Sequence, residues 1–196
     1  IDDNPTFNNP EINVTSIANT TKDNTTYELQ TELSVDTTYF WKVRANDSTG
    51  YGENSSVFNF TVDSYAAISV LIDSVNFGTA NLGGHLNTSS GNPGPFWVEN
   101  VGNIKLNISI NASQYFSSVS YPSNNYQFRI EENETNSFDQ DLSLTTWTDM
   151  SSTQQLSVVN LDWRSIKNDF LTGLLIRIPT LESTGDKTSS ITFEGE

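Results

Sequence analysis

Cysteine is absent and histidine occurs once in this chain of 196 residues. Without Cys there is no disulfide framework, no thiolate zinc site and no Cys nucleophile. A single His excludes HExxH-type zinc chemistry and leaves His85 as the only imidazole for a catalytic triad. Basic residues are scarce: nine Lys+Arg stand against 24 Asp+Glu, a formal net charge of -15. Neutralising phosphates needs clustered cations, so nucleic acid is excluded as a partner. Long apolar runs are missing too. The longest, residues 66–72 and 174–178, are strand-length, well short of the roughly 18 residues that cross a bilayer, and no membrane span is expected. Ile1 is not an initiator Met, and no basic segment followed by an apolar stretch opens the chain. A processed or excised piece, with its targeting signal elsewhere, is therefore expected.

Asn, Ser and Thr fill the space, about a third of all residues. Asn-x-Ser/Thr sequons stand at Asn13, Asn19, Asn24, Asn46, Asn54, Asn59, Asn87, Asn107, Asn111 and Asn133, whereas Pro5 disqualifies Asn4. Composition alone would generate roughly half that many. Strand parity favours the remainder as real acceptors. In residues 106–111 the apolar side chains alternate with Asn107 and Asn111, which turns both Asn away from a core. The same parity sets Asn59 opposite Phe58 and Phe60, and Asn13 opposite Ile12 and Val14. These features predict an extracellular or cell-surface protein carrying N-linked glycans.

Period-2 alternation dominates the chain. Residues 39–45 put Tyr39, Trp41, Val43 and Ala45 on one face and Lys42 and Arg44 on the other. Further strands are predicted at 11–17, 26–30, 57–62, 68–77, 96–100, 106–111, 126–131, 156–161, 174–179 and 190–194. Turn signals separate them at 50–52, 83–84, 91–95, 101–103 and 184–186. At most one short helix fits, near 162–171, where Leu161, Trp163, Ile166 and Phe170 make a rough stripe behind Asp162 as cap. The expected fold class is all-β, two β-sandwiches in tandem, with domains at 1–63 and 64–196.

The first domain carries Leu33 and Tyr39 at the spacing of a tyrosine corner, then Trp41, Val43 and Ala45, then Gly50-Tyr51-Gly52 and Phe58-Asn59-Phe60-Thr61-Val62. This run resembles a fibronectin type III domain. The resemblance implies a sandwich whose corner is locked by the phenol oxygen, and it says little about function. It also implies that the first strands are missing, because such a sandwich needs roughly 90 to 100 residues. Residues 1–7 look like the end of the third strand. An incomplete sandwich exposes Tyr39, Trp41 and Val43 and leaves a strand edge unpaired. Either the chain belongs to a longer polypeptide, or another chain supplies strands by β-augmentation at this inter-protomer face.

Residues 64–196 predict a complete jelly-roll or Ig-like sandwich. Phe96, Val98 and Asn100, the Asn100-Val101-Gly102-Asn103 turn, and Leu106 and Ile108 are expected to form a hairpin. This run resembles the Asn-x-Gly-Asn hairpin of β-sandwich modules in archaeal and bacterial surface proteins, including TasA-like fibre subunits. Gly185 to Phe193 fits a closing strand of such a module, and the resemblance implies no catalytic residues.

Glu131, Glu132, Glu134, Asp139 and Asp141 offer paired carboxylates, but a solvated acidic loop beside Asn133 explains them without a glycosidase cleft. Calcium suits the Asp139-Gln140-Asp141 and Asp2-Asp3-Asn4 oxygen donors better, although neither has EF-hand spacing; no other cofactor is expected. His85 lies outside any nucleophile-elbow pattern. Trp41 reads as core, while Trp97, Trp147 and Trp163 are candidates for stacking on sugars. The expectation is a non-catalytic structural subunit of an extracellular filament, sheath or surface layer, a homopolymer joined by strand exchange. The alternative is an adhesin or carbohydrate-binding module recognising glycans through Trp147 or Trp97.

Overall fold

A computed structural model describes residues 1–15, 17, 27–89 and 91–196. The described residues are all β, without a helix. They form two compact units, Ile1–Ser64 and Tyr65–Glu196.

In the first unit, β1 (Thr37–Trp41) pairs antiparallel with β4 (Phe58–Val62), in a register that sets Tyr39 against Phe60 and Trp41 against Phe58. Cross-strand neighbours share a face, so the four rings meet: Tyr39 stacks on Phe60 at 5.9 Å and Trp41 on Phe58 at 5.0 Å. The opposite face carries a Thr38–Thr61 hydroxyl contact. At the head of β1 the Ser34 amide donates to the Tyr39 phenol oxygen at 2.8 Å, pinning the chain that enters the strand. β2 (Arg44–Asp47) and β3 (Gly50–Asn54) form a separate hairpin. Residues 50–52, expected as a turn, begin β3 instead. The reversal sits earlier because the Asp47 carboxylate accepts from the Thr49 amide and hydroxyl, and Gly50 takes a φ of 125° that side chains disfavour. No strand forms at residues 27–30 or in the described part of 11–17; Thr26 and Ser16 lie outside the described residues. Period-2 apolar residues there meet no partner ladder, and a lone strand has nothing to hold it extended.

The second unit is built from β5 (Ile68–Ile72), β6 (His85–Asn87), β7 (Phe96–Asn100), β8 (Leu106–Ala112), β9 (Tyr126–Glu132), β10 (Thr148–Asp149), β11 (Gln155–Leu161), β12 (Asp169–Arg177) and β13 (Ile191–Gly195). One sheet runs β10-β9-β12-β7-β5 with β6 also on β12, and the other runs β11-β8-β13. Strict alternation in β8 buries Leu106, Ile108, Ile110 and Ala112. They share one core with Val98, Phe128, Ile130 and Phe170 of the larger sheet, so the sheets pack face to face as a sandwich. At the end of β13, Gly195 leaves room for Ile68 of β5; a Cβ there would lie 3.2 Å from the Ile68 Cγ2.

Three sequence expectations fail in this unit. The strand expected at 68–77 ends at Ile72. β7 and β8 are not a hairpin: β7 pairs with β12 and β5, and β8 with β11 and β13. The Asn100-Val101-Gly102-Asn103 turn instead carries the chain from one sheet to the other. Buried Asn100 makes the corner: its amide group donates to the Ile104 and Leu161 carbonyls at 2.8 and 3.3 Å, and its Oδ1 accepts from the Gly102 amide at 2.9 Å. Residues 162–171 are not helical. The Asp162 carboxylate does cap the amides of Trp163 and Arg164, but the turn closes after the Lys167 amide reaches the Arg164 carbonyl. The chain then enters β12 at Asp169, where Phe170 is buried as a strand residue, and Ile166 remains 73% exposed.

Candidate functional site

The aromatic face of the first unit is its least satisfied surface. Tyr39 is 3% exposed and is the only hydrophobic residue in this unit that is fully buried among the described residues. Trp41 is half-buried, and Val43 is 53% exposed. Phe58, which stacks on Trp41, is 49% exposed, and Tyr27, Leu29 and Val57 are also open. Burial therefore falls along the chain from Tyr39 to Val43. The Lys42 ammonium sits over the Phe7 ring at 4.2 Å, and in the separate β2–β3 hairpin the Arg44 guanidinium lies over Tyr51 at 3.9 Å. Among the described residues no such cation contact covers Trp41 or Phe58.

One backbone contact reaches the free edge of β1. The Asp2 amide donates to the Phe40 carbonyl at 3.0 Å and the Phe40 amide to the Asp2 carbonyl at 2.7 Å. The chain then loops out and returns, since Ile1 and Ile12 exchange backbone bonds at 2.8 and 3.2 Å. This closure brings Glu11 beside Asp2 and Asp3, with an oxygen from each carboxylate within 4.8 Å of the others. Asp2 is 2% exposed; its Oδ1 accepts from the Asn4 amide and its Oδ2 has no hydrogen-bond partner. The Glu11 charge, then burial, then Asp2 push the Asp3 carboxyl above its ordinary value. Glu11 was beyond sequence reasoning, because nothing local links it to residues nine positions earlier.

Sequon asparagines occupy different settings. Asn13, Asn46, Asn54, Asn59 and Asn133 are exposed, whereas Asn87, Asn107 and Asn111 are half-buried. Asn19 and Asn24 lie outside the described residues. The Asn133 amide donates to Asp169 at 2.8 Å and the Asn111 amide to the Ser152 carbonyl at 3.2 Å, while the Asn107 Oδ1 accepts from the Asn160 amide. The acidic run after β9 is used structurally. Glu131 pairs with Arg129 at 2.8 Å, and Glu132 and Glu134 accept from the amides of Asn136 and Asn168. Asp139 and Asp141 join no group of three acidic ligands among the described residues. His85 is exposed in β6.

Trp97 and Trp147 are also engaged, while Trp163 is half-buried. Trp97 donates its indole N–H to Asp169 at 2.6 Å, and the Arg129 guanidinium lies 4.7 Å over the half-buried Trp147 ring. Sequence reasoning missed a second carboxylate, Glu182, which is buried between two loops. Its oxygens accept from Lys187 at 2.7 Å, from the Ser117 hydroxyl at 2.9 Å, and from the Ser118 amide and hydroxyl at 3.0 and 2.6 Å. Lys187 first, then Ser118, hold it far below the usual carboxylate range. No helix among the described residues is long and apolar enough to cross a membrane. Comparison with protein-family models, with curated proteins and with solved structures returns no match.

Proposed function

We propose that this chain is a non-catalytic structural subunit of an extracellular filament, sheath or surface layer, joined to copies of itself by β-strand complementation at the Tyr39–Trp41–Val43 face. The observation that carries this reading is the open aromatic face. Its centre, Tyr39, is buried and its rim, Val43 and Phe58, is half-exposed. A strand from a second copy would cover the rim, and completing the burial of Val43 and Phe58 would contribute about 2 to 3 kcal/mol. Main-chain bonds along the edge of β1, where Asp2 supplies one bridge to Phe40, would add direction and register. The tyrosine-corner bond from Ser34 to Tyr39 supports the likeness to a fibronectin type III sandwich, and the exposed sequons support glycosylation at the cell surface. The sugar-binding alternative draws less support, because Arg129 covers Trp147 and Asp169 holds Trp97.

The absence of Cys makes the test clean. A single Val43→Cys variant carries one environment-sensitive label, read while the full chain is concentrated and its mass is followed by light scattering. Polymers should form with the label passing into an apolar setting, and Phe58→Asp should abolish both changes. A monodisperse monomer at high concentration, or polymers indifferent to Phe58→Asp, would end this reading.

A further inference from the structure

The acidic group at the base of the 1–12 loop lacks the counter-charge that such a group needs. Among the described residues the ion pairs are Arg129–Glu131, Arg164–Asp162 and Lys187–Glu182, and none reaches Asp2, Asp3 or Glu11. Of the cations at this loop, the Ile1 ammonium is turned to the Ile12 carbonyl at 2.8 Å and Lys42 onto the Phe7 ring. Three carboxylates thus converge without an ion pair to either. One of them is nearly inaccessible: Asp2 is 2% exposed, and its Oδ2 has no donor. A buried carboxylate oxygen without a donor costs free energy unless something positive meets it.

Chemistry selects the kind of cation. Calcium takes carboxylate oxygens in a flexible geometry with water completing its shell, whereas magnesium demands a near-ideal octahedron and gives up its own waters reluctantly. One oxygen from each of the three carboxylates lies within 4.8 Å of the others, which lets one ion reach all three. The partners also come from both ends of the closed loop: Asp2 and Asp3 follow Ile1, and Glu11 precedes Ile12, whose backbone pairs with that of Ile1. Asp2 is in turn bonded to Phe40 of β1 through its own backbone.

We infer that Asp2, Asp3 and Glu11 bind a calcium ion that staples the 1–12 loop at its base and holds it against β1. Asp2 supplies its partnerless Oδ2 from the buried side, and Asp3 and Glu11 close the site from solvent, with water completing the shell. With only three carboxylates and an open side, the affinity belongs to the weak class, on the order of 10⁻⁴ to 10⁻³ M.

Calorimetric titration of the full chain with calcium chloride should give one saturable site in that range. Glu11→Gln keeps the shape of an exposed side chain and should weaken binding at least about 10-fold by removing one ligand charge. Asp3→Asn should do the same, and Asp141→Asn, which alters no member of the group, should leave the affinity unchanged. Hydrogen exchange read alongside should slow for amides of residues 3–11 on adding calcium, and not in Glu11→Gln. No saturable heat up to about 10 mM calcium, unchanged affinity in Glu11→Gln, or protection that bypasses residues 3–11 would overturn the site. The outcome is independent of whether the chain polymerises.

Discussion

Replacing Asn100 by alanine removes the side chain that turns the chain between the two sheets of the second unit. The residue is fully buried, and its amide makes three bonds: to the Ile104 carbonyl at 2.8 Å, to the Leu161 carbonyl at 3.3 Å, and from the Gly102 amide at 2.9 Å. Alanine removes all three bonds. Each unsatisfied buried group costs about 1 to 3 kcal/mol; the 3.3 Å bond is the weakest, and half-buried Gly102 can recruit water, so the total is about 3 kcal/mol. With a urea slope of about 2 kcal/mol/M, the unfolding midpoint of the unit should fall by about 1.5 M. Fluorescence of Trp97, in the strand that leads into the corner, reads the transition. Asn100→Asp sharpens the test. It keeps the acceptor for Gly102 but faces two carbonyls with a carboxylate, so at neutral pH it should be at least as damaging as alanine. A loss under about 1 kcal/mol for Asn100→Ala, or an Asn100→Asp variant milder than alanine, would refute the corner as the source of the stability.

Other substitutions probe the same physics. In Gly102→Ala the new Cβ would lie 2.2 Å from the Tyr65 carbonyl oxygen, so the backbone must shift and the Asn103 amide bond to that oxygen must yield; a loss of about 3 kcal/mol in chemical denaturation is expected. Asp162 is held at about 2 by Arg164 first, against an ordinary value of 3.8; solvent screening at the half-exposed Arg164 leaves this worth about 1 kcal/mol at neutral pH. Because this value is depressed, the contribution is complete above about pH 4 and fades toward pH 2, so the gap between Asp162→Asn and the unaltered chain should close over that interval in thermal melts. Glu182→Gln weakens the bond to Lys187 and removes the carboxylate shared by Ser117 and Ser118. Its destabilisation should be largest near neutrality and shrink as pH falls below 4.5, and a gap that widens in acid would contradict the assignment.

Alternation was the legible part of this fold. In β8 and β9 it marks which side chains enter the core, because a half-buried strand has no other way to satisfy both faces. Pairing was less legible. Phe96 and Val98, then Leu106, Ile108 and Ile110, alternate identically whether the strands lie side by side or face each other across a core; the decision rests with Asn100, whose bond to Leu161 spans 61 residues. The stretch around Asp162 misled for a related reason. Its cap and apolar spacing satisfy one helical turn, yet Leu161 and Phe170 are spent in strands. At residues 27–30 the alternation is present and the strand is not, since a ladder needs a partner that local sequence does not specify. The carboxylate group was half visible. Asp2 and Asp3 stand adjacent in sequence, but Glu11 joins them only through the Ile1–Ile12 closure.

The contact between Gly195 and Ile68 bears on how the second unit would carry a mechanical load. Ile68 opens the first strand of the unit and Gly195 ends its last, and they touch although their strands belong to different sheets. Tension applied between these two points would enter and leave the sandwich at almost one place. The side-chain contact beside Gly195 would yield first, and the load would then fall on the ladders that hold each terminal strand, β5 on β7 and β13 on β8. Resistance would therefore come from one ladder in each sheet, pulled open from its end.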